Sequence, residues 1–371
     1  MRVFLNKSVY EVAKERMNFI FDEFDKVVCW MSGGKDSTAT FELAMEVATE
    51  RNRLPLDVAF IDQEVEWTHT YNYVKSLDDR DDVNLHWYQI PFREFNATSQ
   101  QTEWLFCWDK AKKDIWIRPQ EPNSIKINNY GTDRFKEIFD AIAGKDFPEV
   151  TAFVSGVRAE ESPVRTLAIT TAPFYKGITW GKKYKDTKNL LFYPIYDWSY
   201  TDIWKYINDL NCKYNIVYDF QYRYGIKVQH MRVSNLNHET AVNSLFYLQE
   251  VDAKLYNALV PRLPGVDYAG KFGYDNYFIK EMPYMFKSWK EYRDYLLQHI
   301  VNKNRIAQFK SQLDKQDREF EDLPQYDNIV RAHINIILTN DWEGARFHNL
   351  EVTYSTKETR TNALLKSKIT A

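Results

Sequence analysis

Apolar positions near the start of the chain recur at Val12, Ala13, Met17, Ile20 and Phe21, the spacing of a single helical face. Ser8 and Glu11 stand just ahead of it as the two halves of a capping box. The period then changes. Residues 27–31 (VVCWM) are apolar without interruption, which predicts a short strand buried on both faces. A glycine turn, Ser32-Gly-Gly-Lys-Asp-Ser37, leads into a helical stretch over 38–51, and Pro55 ends that region. Residues 56–61 (LDVAFI) predict a second buried strand closed by Asp62. Two more strands are expected at 85–90, ended by Pro91, and at 150–154, just before Ser155 and Gly156. Strands alternating with helices predict an α/β fold, a parallel sheet flanked by helices. In such sheets ligands bind beyond the carboxyl ends of the strands, where the glycine turn and Gly156 fall.

Beyond about residue 236 the strand signals fade, and 239–257, 287–300 and 302–320 read as helices. The expected organisation is a capped N-terminal helix (1–25), an α/β domain (26–235) and a mainly helical C-terminal domain (236–371). The polar tail at 353–371 is expected to be poorly ordered, and no internal repeat is evident. Between Lys176 and Lys188 there are five lysines and one acid. That stretch reads first as a solvated surface loop and second as a phosphate-covering lid.

Composition narrows the class. The 371 residues carry 49 Lys and Arg against 52 Asp and Glu, a net charge of -3, which argues against a dedicated nucleic-acid coating protein and leaves nucleic acid a partner only through a local basic groove. No apolar run approaches the roughly 20 residues of a membrane span, and the N-terminus does not read as a secretory signal. A cytoplasmic location is therefore expected. Cys29, Cys107 and Cys212 lie far apart, so neither a disulfide framework nor a four-cysteine iron–sulfur cluster is expected. The seven histidines form no HxxxH or HExxH pair, and no zinc is expected. With 16% aromatic residues, including 11 Trp and 25 Tyr, the chain has material for thick cores and a homodimer interface. Cys107, set among Trp104, Phe106 and Trp108, reads as a core thiol.

The glycine turn carries the strongest chemical signal. Two glycines let backbone N–H groups approach an anion, and the following helix aims its positive end at the same place. It is not a Walker A loop, because Asp36 follows Lys35 and Cys29 stands where the first glycine belongs. The bland alternative is an ordinary strand-to-helix turn. Arg158, Glu161 and Arg165 also fit a helical salt-bridge set, and Asp197–Trp198 with Ser199 or Thr201 and Asp202 reads as a helix cap over a face formed by Trp204 and Ile207.

Taken together, SGGKDS after a buried strand, Phe60-Ile-Asp-Gln-Glu64, Ser155-Gly-Val-Arg-Ala-Glu-Glu-Ser162 with Arg165, and Tyr193-Pro-Ile-Tyr-Asp-Trp198 with Asp202-Ile-Trp-Lys-Tyr-Ile207 resemble, in order, the motifs of the phosphoadenosine phosphosulfate (PAPS) reductase branch of the PP-loop ATP pyrophosphatase superfamily. The likeness covers roughly residues 8–235. A narrower resemblance, on Cys107-Trp-Asp109, Trp116-Ile-Arg-Pro119 and Tyr218-Asp with Tyr224-Gly225 and Met231-Arg232, is to the immunoglobulin-binding regulator A type, which implies a ParB/sulfiredoxin-like partner.

The resemblance implies a PP-loop fold binding ATP or PAPS with magnesium. Ser32, Gly33, Gly34, Lys35, Asp36 and Ser37 would hold the nucleotide phosphates, with Asp36 near the metal. Asp62 and neighbouring backbone would border the adenosine pocket, and Gly156 belongs to the second signature. Arg158 and Arg165 would bind phosphate or sulfate oxygens, for which a guanidinium fork is suited. Glu161 would fix one of those arginines, and Arg232 would contact the nucleotide from outside the sheet. Lys35, Asp36, Arg158 and Arg165 are the implied catalytic set.

One departure decides between activities. Thioredoxin-dependent members of this family carry a nucleophilic cysteine in a C-terminal ECGLH-type segment, whereas the last cysteine here is Cys212. Sulfite transfer needs a thiolate, and only Lys213 stands beside Cys212 to favour one. The first expectation is therefore ATP cleavage at the α-phosphate, by adenylyl transfer or pyrophosphatase-type chemistry. The alternatives are a PAPS or adenosine phosphosulfate reductase and a nucleotide-binding regulatory subunit of a ParB-like partner.

Overall fold

In the computed structural model, which describes residues 6–99, 102–170, 172–238, 241–267, 281–338, 341 and 346–355, Ser8 opens the first helix as its pattern requires. The Ser8 hydroxyl accepts from Glu11 N at 3.2 Å and the Glu11 carboxylate accepts from Ser8 N at 2.7 Å, so both arms of the box form. Helix α1 (Val9–Glu23) then buries Ala13, Met17, Ile20 and Phe21. Strand β1 (Lys26–Met31) follows, and Gly34 caps α2 (Lys35–Glu50), three residues earlier than the periodicity predicts. The chain continues through β2 (Leu56–Ile61), α3 (Thr68–Asp78), β3 (Val83–Tyr88), β4 (Phe92–Phe95), β5 (Trp104–Cys107) and α4 (Phe135–Lys145). Next come β6 (Thr151–Val154), α5 (Pro163–Thr170), β7 (Gly181–Lys183), β8 (Leu190–Phe192), α6 (Tyr200–Asp209) and α7 (Val217–Arg223).

Six strands form one sheet in the order β3-β2-β1-β6-β8-β7. All neighbouring pairs are parallel except β7 with β8. The fold is α/β, a mostly parallel sheet flanked by helices, as the alternating pattern predicts. Its apolar runs are continuous because β1, β2 and β6 are covered on both sides; every residue of β2 and β6 is buried. The chain winds outward from β1 to β3 and returns to β6 on the other side of β1. The carboxyl ends of β1 and β6 therefore meet at the point where the strand order reverses.

The chain divides into two compact units. The first comprises Met1–Glu94, Phe106–Leu236 and Val251–Ala258, and the second Phe95–Leu105, Asn237–Glu250 and Leu259–Ala371. The first unit holds the sheet, and α1 packs into its core. Arg16 of α1 forms a two-pronged pair with Asp197 at 2.7 and 2.8 Å, and Trp198 Nε1 donates to Val9 O at 3.1 Å. Ser199, not Thr201, caps α6, and the buried face of that helix is Ile203, Tyr206 and Ile207. Trp204 is only half-buried and sets its ring edge-on to Tyr214 and Tyr218.

The C-terminal helical region includes α8 (Val242–Val251), α9 (Ala253–Arg262), α10 (Trp289–His299), α11 (Ile306–Phe320) and α12 (Tyr326–Leu338). The helix expected over 239–257 is two helices, and α12 was not anticipated. The second unit's core includes Leu296, Phe309, Leu313, Ile334, Ile337 and Phe347. A polar chain runs through it: Arg293 pairs with Asp317 at 2.6 and 2.9 Å, and His333 meets Gln316 at 2.8 Å. Burial drives the His333 pKa down to about 3, so the ring is a neutral structural group. No described helix is long and apolar enough to cross a membrane. Most of the polar tail, from residue 356 onward, lies outside the described residues.

Candidate functional site

The site begins where β1 stops. Gly33 adopts φ +71°, a conformation open to glycine and costly to other residues, and the chain turns there into α2. A side chain at Gly33 would also strike Thr70 Cγ2, 2.7 Å from the place of its Cβ. The turn is tied internally: Ser37 Oγ donates to Gly34 O at 2.9 Å, and Ser32 N donates to Ser37 Oγ at 3.2 Å. From outside, Asn215 Nδ2 donates to Gly33 O at 3.1 Å and to Thr70 Oγ1 at 2.8 Å.

Lys35 and Asp36 form the first turn of α2. Lys35 Nζ lies 2.8 Å from Asp36 Oδ2 and is almost fully buried. Burial lowers its pKa below the ordinary lysine value; Asp36 opposes that shift and the charges of Arg158 and Arg232 add to it. The second half of the site comes from the segment after β6. Gly156 is pressed onto the start of α2, so that a Cβ there would fall 2.5 Å from Asp36 C and O and 2.7 Å from Ser37 N. Two residues on, Arg158 is 3% exposed and places Nε 2.5 Å from Asp36 Oδ1. Its NH1 donates to Glu160 Oε2 at 3.0 Å and to Trp198 O at 3.1 Å.

Glu161 accepts from Arg158 N at 3.3 Å and forms an ion pair with Arg165, which is largely exposed. The salt-bridge set expected within 158–165 is thus divided: Glu161 takes Arg165, while Arg158 reaches across to Asp36. Arg232 is exposed, and both its backbone groups are held by the Gln221 amide at 2.7 and 3.1 Å. Its charge is felt at Lys35, Arg165 and Tyr218, so it belongs to the same cluster. The structure therefore gathers the glycine turn, Lys35, Asp36, Gly156, Arg158, Glu161, Arg165 and Arg232 into one neighbourhood.

The Asp62 carboxylate makes none of its hydrogen bonds to that cluster. Asp62 is fully buried, and its carboxylate accepts from Arg118 NH2 (2.6 Å), Glu64 N (2.9 Å), Gln89 Nε2 (2.9 Å) and Trp87 Nε1 (3.1 Å). Four donors saturate the group, so its side chain organises the end of β2. Asp36 is the acid expected beside the metal. Both its oxygens are engaged by cations, and no group of three His, Cys, Asp or Glu among the described residues is arranged to hold a metal ion. The chain's own donors do not fit a resident magnesium site, and no step is derived through one.

The lysine stretch is not a lid over this site. Lys176 pairs with Glu23 at 2.6 Å, and the register Gly181↔Phe192, Lys183↔Leu190 carries β7 away from the carboxyl end of the sheet. Nor is Cys212 activated: burial first, then the nearby Glu42 charge, push its thiol up to about 11. Cys107 is buried and donates to Gln63 O at 3.2 Å.

Sequence reading overlooked the residues that brace the loop from a distance, namely Asn215, Tyr218, Thr70 and Gln221, together with Arg118. Tyr218 accepts from Lys35 N at 2.9 Å. Tyr218 and Arg118 carried a signal, as parts of the Tyr218-Asp and Trp116-Ile-Arg-Pro119 patterns of the narrower resemblance. A further buried acid, Glu66, stands near the Asp62 carboxylate and that of Glu94; one of its oxygens accepts from Gln63 N and the other has no partner among the described residues. Burial, and then Asp62, raise its pKa to about 8. The folded state thus binds a proton that the unfolded chain releases near 4.5, and this group makes stability fall as pH rises between those values. Glu66→Gln is expected to flatten that slope, by at most about 1.4 kcal/mol per pH unit, and to raise the urea midpoint at pH 7 and above. Urea midpoints from pH 5 to 9 check it.

Residues 26–224 match the family model described as the phosphoadenosine phosphosulfate reductase domain, and residues 225–317 match a domain of unknown function (DUF3440). The uncharacterized protein YbdN of Escherichia coli K12 is 26% identical over 396 residues, spanning 97% of this chain and 95% of that one. The adenosine 5′-phosphosulfate reductase of Staphylococcus saprophyticus is 21% identical over 211 residues, 57% of this chain and 73% of that one. Among solved structures, the PAPS reductase of Candida auris in its phosphate complex overlays with a TM-score of 0.36 at 13% identity, covering 64% of this chain and 98% of that one. The FMN adenylyltransferase of Candida glabrata gives 0.36 at 16%, covering 58% of this chain and 62% of its own, so the present chain spans less than two thirds of it.

Proposed function

The chain belongs to the phosphoadenosine phosphosulfate reductase domain family, and from that premise we propose that it is an ATP-dependent enzyme working at the α-phosphate rather than a self-sufficient reductase. An adenine nucleotide would lie across the carboxyl ends of β1 and β6 with its phosphates against Ser32–Ser37. A nucleophile would attack the α-phosphorus, the bond from that phosphorus to the bridging oxygen would break, and pyrophosphate would leave with the electron pair. Lys35, Arg158, Arg165 and Arg232 would spread the charge that develops on it. Magnesium would travel with the nucleotide as part of the substrate.

The observation that carries this reading is the contrast between the two chemistries. The Lys35–Asp36–Arg158 cluster is assembled and buried, while Cys29, Cys107 and Cys212 are all buried or half-buried and the pKa of Cys212 stands at about 11. A thiol in that state is a poor nucleophile toward sulfur. The narrower likeness to the immunoglobulin-binding regulator A type, with a ParB-like partner, remains part of the proposal and rests on the Cys107, Trp116 and Tyr218 patterns.

Incubation with magnesium and ATP is expected to yield AMP, or an AMP adduct, together with pyrophosphate, separated by ion-exchange chromatography. ADP as sole product overturns the reading. Adenosine 3′,5′-bisphosphate and sulfite from PAPS would replace it with the reductive one, and tight binding without turnover would replace it with a sensor.

A further inference from the structure

We propose that the Tyr218 hydroxyl donates a hydrogen bond to the phosphate held at the start of α2, and so acts as a positioning residue of the site. This rests on the reading of Ser32–Ser37 as a phosphate loop. The first N–H groups of a helix have no partner within the helix and face the ligand in an anion site. Here the second, independent observation is a buried hydroxyl already seated on one of them: Lys35 N donates to Tyr218 Oη at 2.9 Å. Tyr218 takes the Lys35 N–H, so that a phosphate at this end of α2 meets the hydroxyl in place of that backbone donor.

The ring has little room to withdraw. Tyr218 is 3% exposed, lies edge-on to Trp204 with centroids 5.1 Å apart, and sits in the first turn of α7. Just before that helix, Asn215 is bonded to Gly33 O and Thr70. The hydroxyl oxygen therefore stays where it is and its lone pair is spent on Lys35. Its own proton has no acceptor among the described residues, and a hydroxyl rotates to suit one. The surrounding groups identify the acceptor's chemistry. Lys35 Nζ lies 5.8 Å from the ring centroid, and the charges of Arg158, Arg232 and Asp36 all act on the hydroxyl. A phosphate drawn in by those cations meets an O–H fixed by the backbone. Burial raises the phenol's pKa further above its ordinary value, which keeps it a donor throughout the physiological range.

The test is calorimetric titration of the full chain and of Tyr218→Phe with ATP, inorganic pyrophosphate and adenosine, alongside melting curves. Phenylalanine keeps the ring against Trp204 and removes only the donor. ATP and pyrophosphate are expected to bind roughly tenfold to a hundredfold more weakly, with adenosine unchanged. Three unchanged affinities overturn the proposal, as does equal weakening of all three ligands, which marks a structural role. Tighter ATP binding overturns it too, because the hydroxyl would then be a plug. Tyr218-dependent pyrophosphate binding without ATP binding upholds the proposal and removes the nucleotide reading; no binding to the unaltered chain removes both. Should the variant not fold, unaltered chain labelled with 3-fluorotyrosine is expected to show one buried-tyrosine 19F resonance that pyrophosphate shifts and adenosine does not. Absence of such a resonance overturns the proposal.

Discussion

Gly156→Ala is expected to abolish nucleotide binding and to destabilise the first unit by roughly 3 kcal/mol, the upper range for forcing a methyl into packed backbone. The added Cβ would lie 2.5 Å from Asp36 C and O and 2.7 Å from Ser37 N. Those are backbone atoms of a helix's first turn, and no side chain can swing aside to admit it. The helix must shift, and with it Lys35 and Asp36. Gly34→Ala is the matched comparison, since its nearest neighbours would be Tyr218 Oη at 3.4 Å and Ser32 Oγ at 3.5 Å, ordinary contacts. Its stability is expected to stay within about 1 kcal/mol of the unaltered chain. Urea unfolding read beside ATP titration separates the two variants; equal behaviour would show that the approach of the β6 segment to α2 does not shape the site.

Arg158→Ala carries the second large effect. It removes the partner of Asp36 and Glu160 and the donor to Trp198 O, all at a residue 3% exposed. Breaking one side of a buried ion pair costs about 3–5 kcal/mol, because the remaining charge is left without compensation. ATP binding is expected to be lost as well. Arg158→Lys should recover little, since an ammonium cannot supply Nε and NH1 in a fixed fork. The combined Asp36→Ala, Arg158→Ala variant is expected to regain part of the stability and none of the binding. Additive losses in the double variant would show that the pair is not coupled.

How far the sequence was legible follows from where each signal lives. The continuous apolar runs of β1, β2 and β6 report burial on both faces, and a local window captures that. β7 (Gly181–Lys183) is short, polar and at the edge, and β8 is only three residues long, so neither has a period to read. α12 does carry helical spacing, at Ile329, Val330, Ile334 and Ile337, and was readable in principle. In the site, residue types were legible and pairings were not. Arg158 has Glu161 three residues away, yet its guanidinium turns to Asp36, 122 residues distant, because Gly156 brings the backbone there. Asn215 and Tyr218 act on Gly33 and Lys35 across 182 and 183 residues. Nor were the partners of the Asp62 carboxylate legible: Arg118, Gln89 and Trp87 lie 56, 27 and 25 residues further along the chain.

The place of β1 in the middle of the sheet has a consequence for synthesis. β2 and β3, which follow β1 in the chain, all stack on one side of it, while the strand on its other side begins only at Thr151. A nascent chain emerging from the ribosome therefore passes through a long interval in which one edge of β1 presents unpaired backbone groups on a strand that is apolar from Val27 to Met31. During that interval the glycine turn exists without Arg158, Tyr218 or Arg232. Pairing of β6 with β1 covers that edge and delivers Gly156 and Arg158 to the start of α2, while Tyr218 and Arg232, which follow later in the chain, join the cluster afterwards, so that protection of the central strand precedes completion of the site.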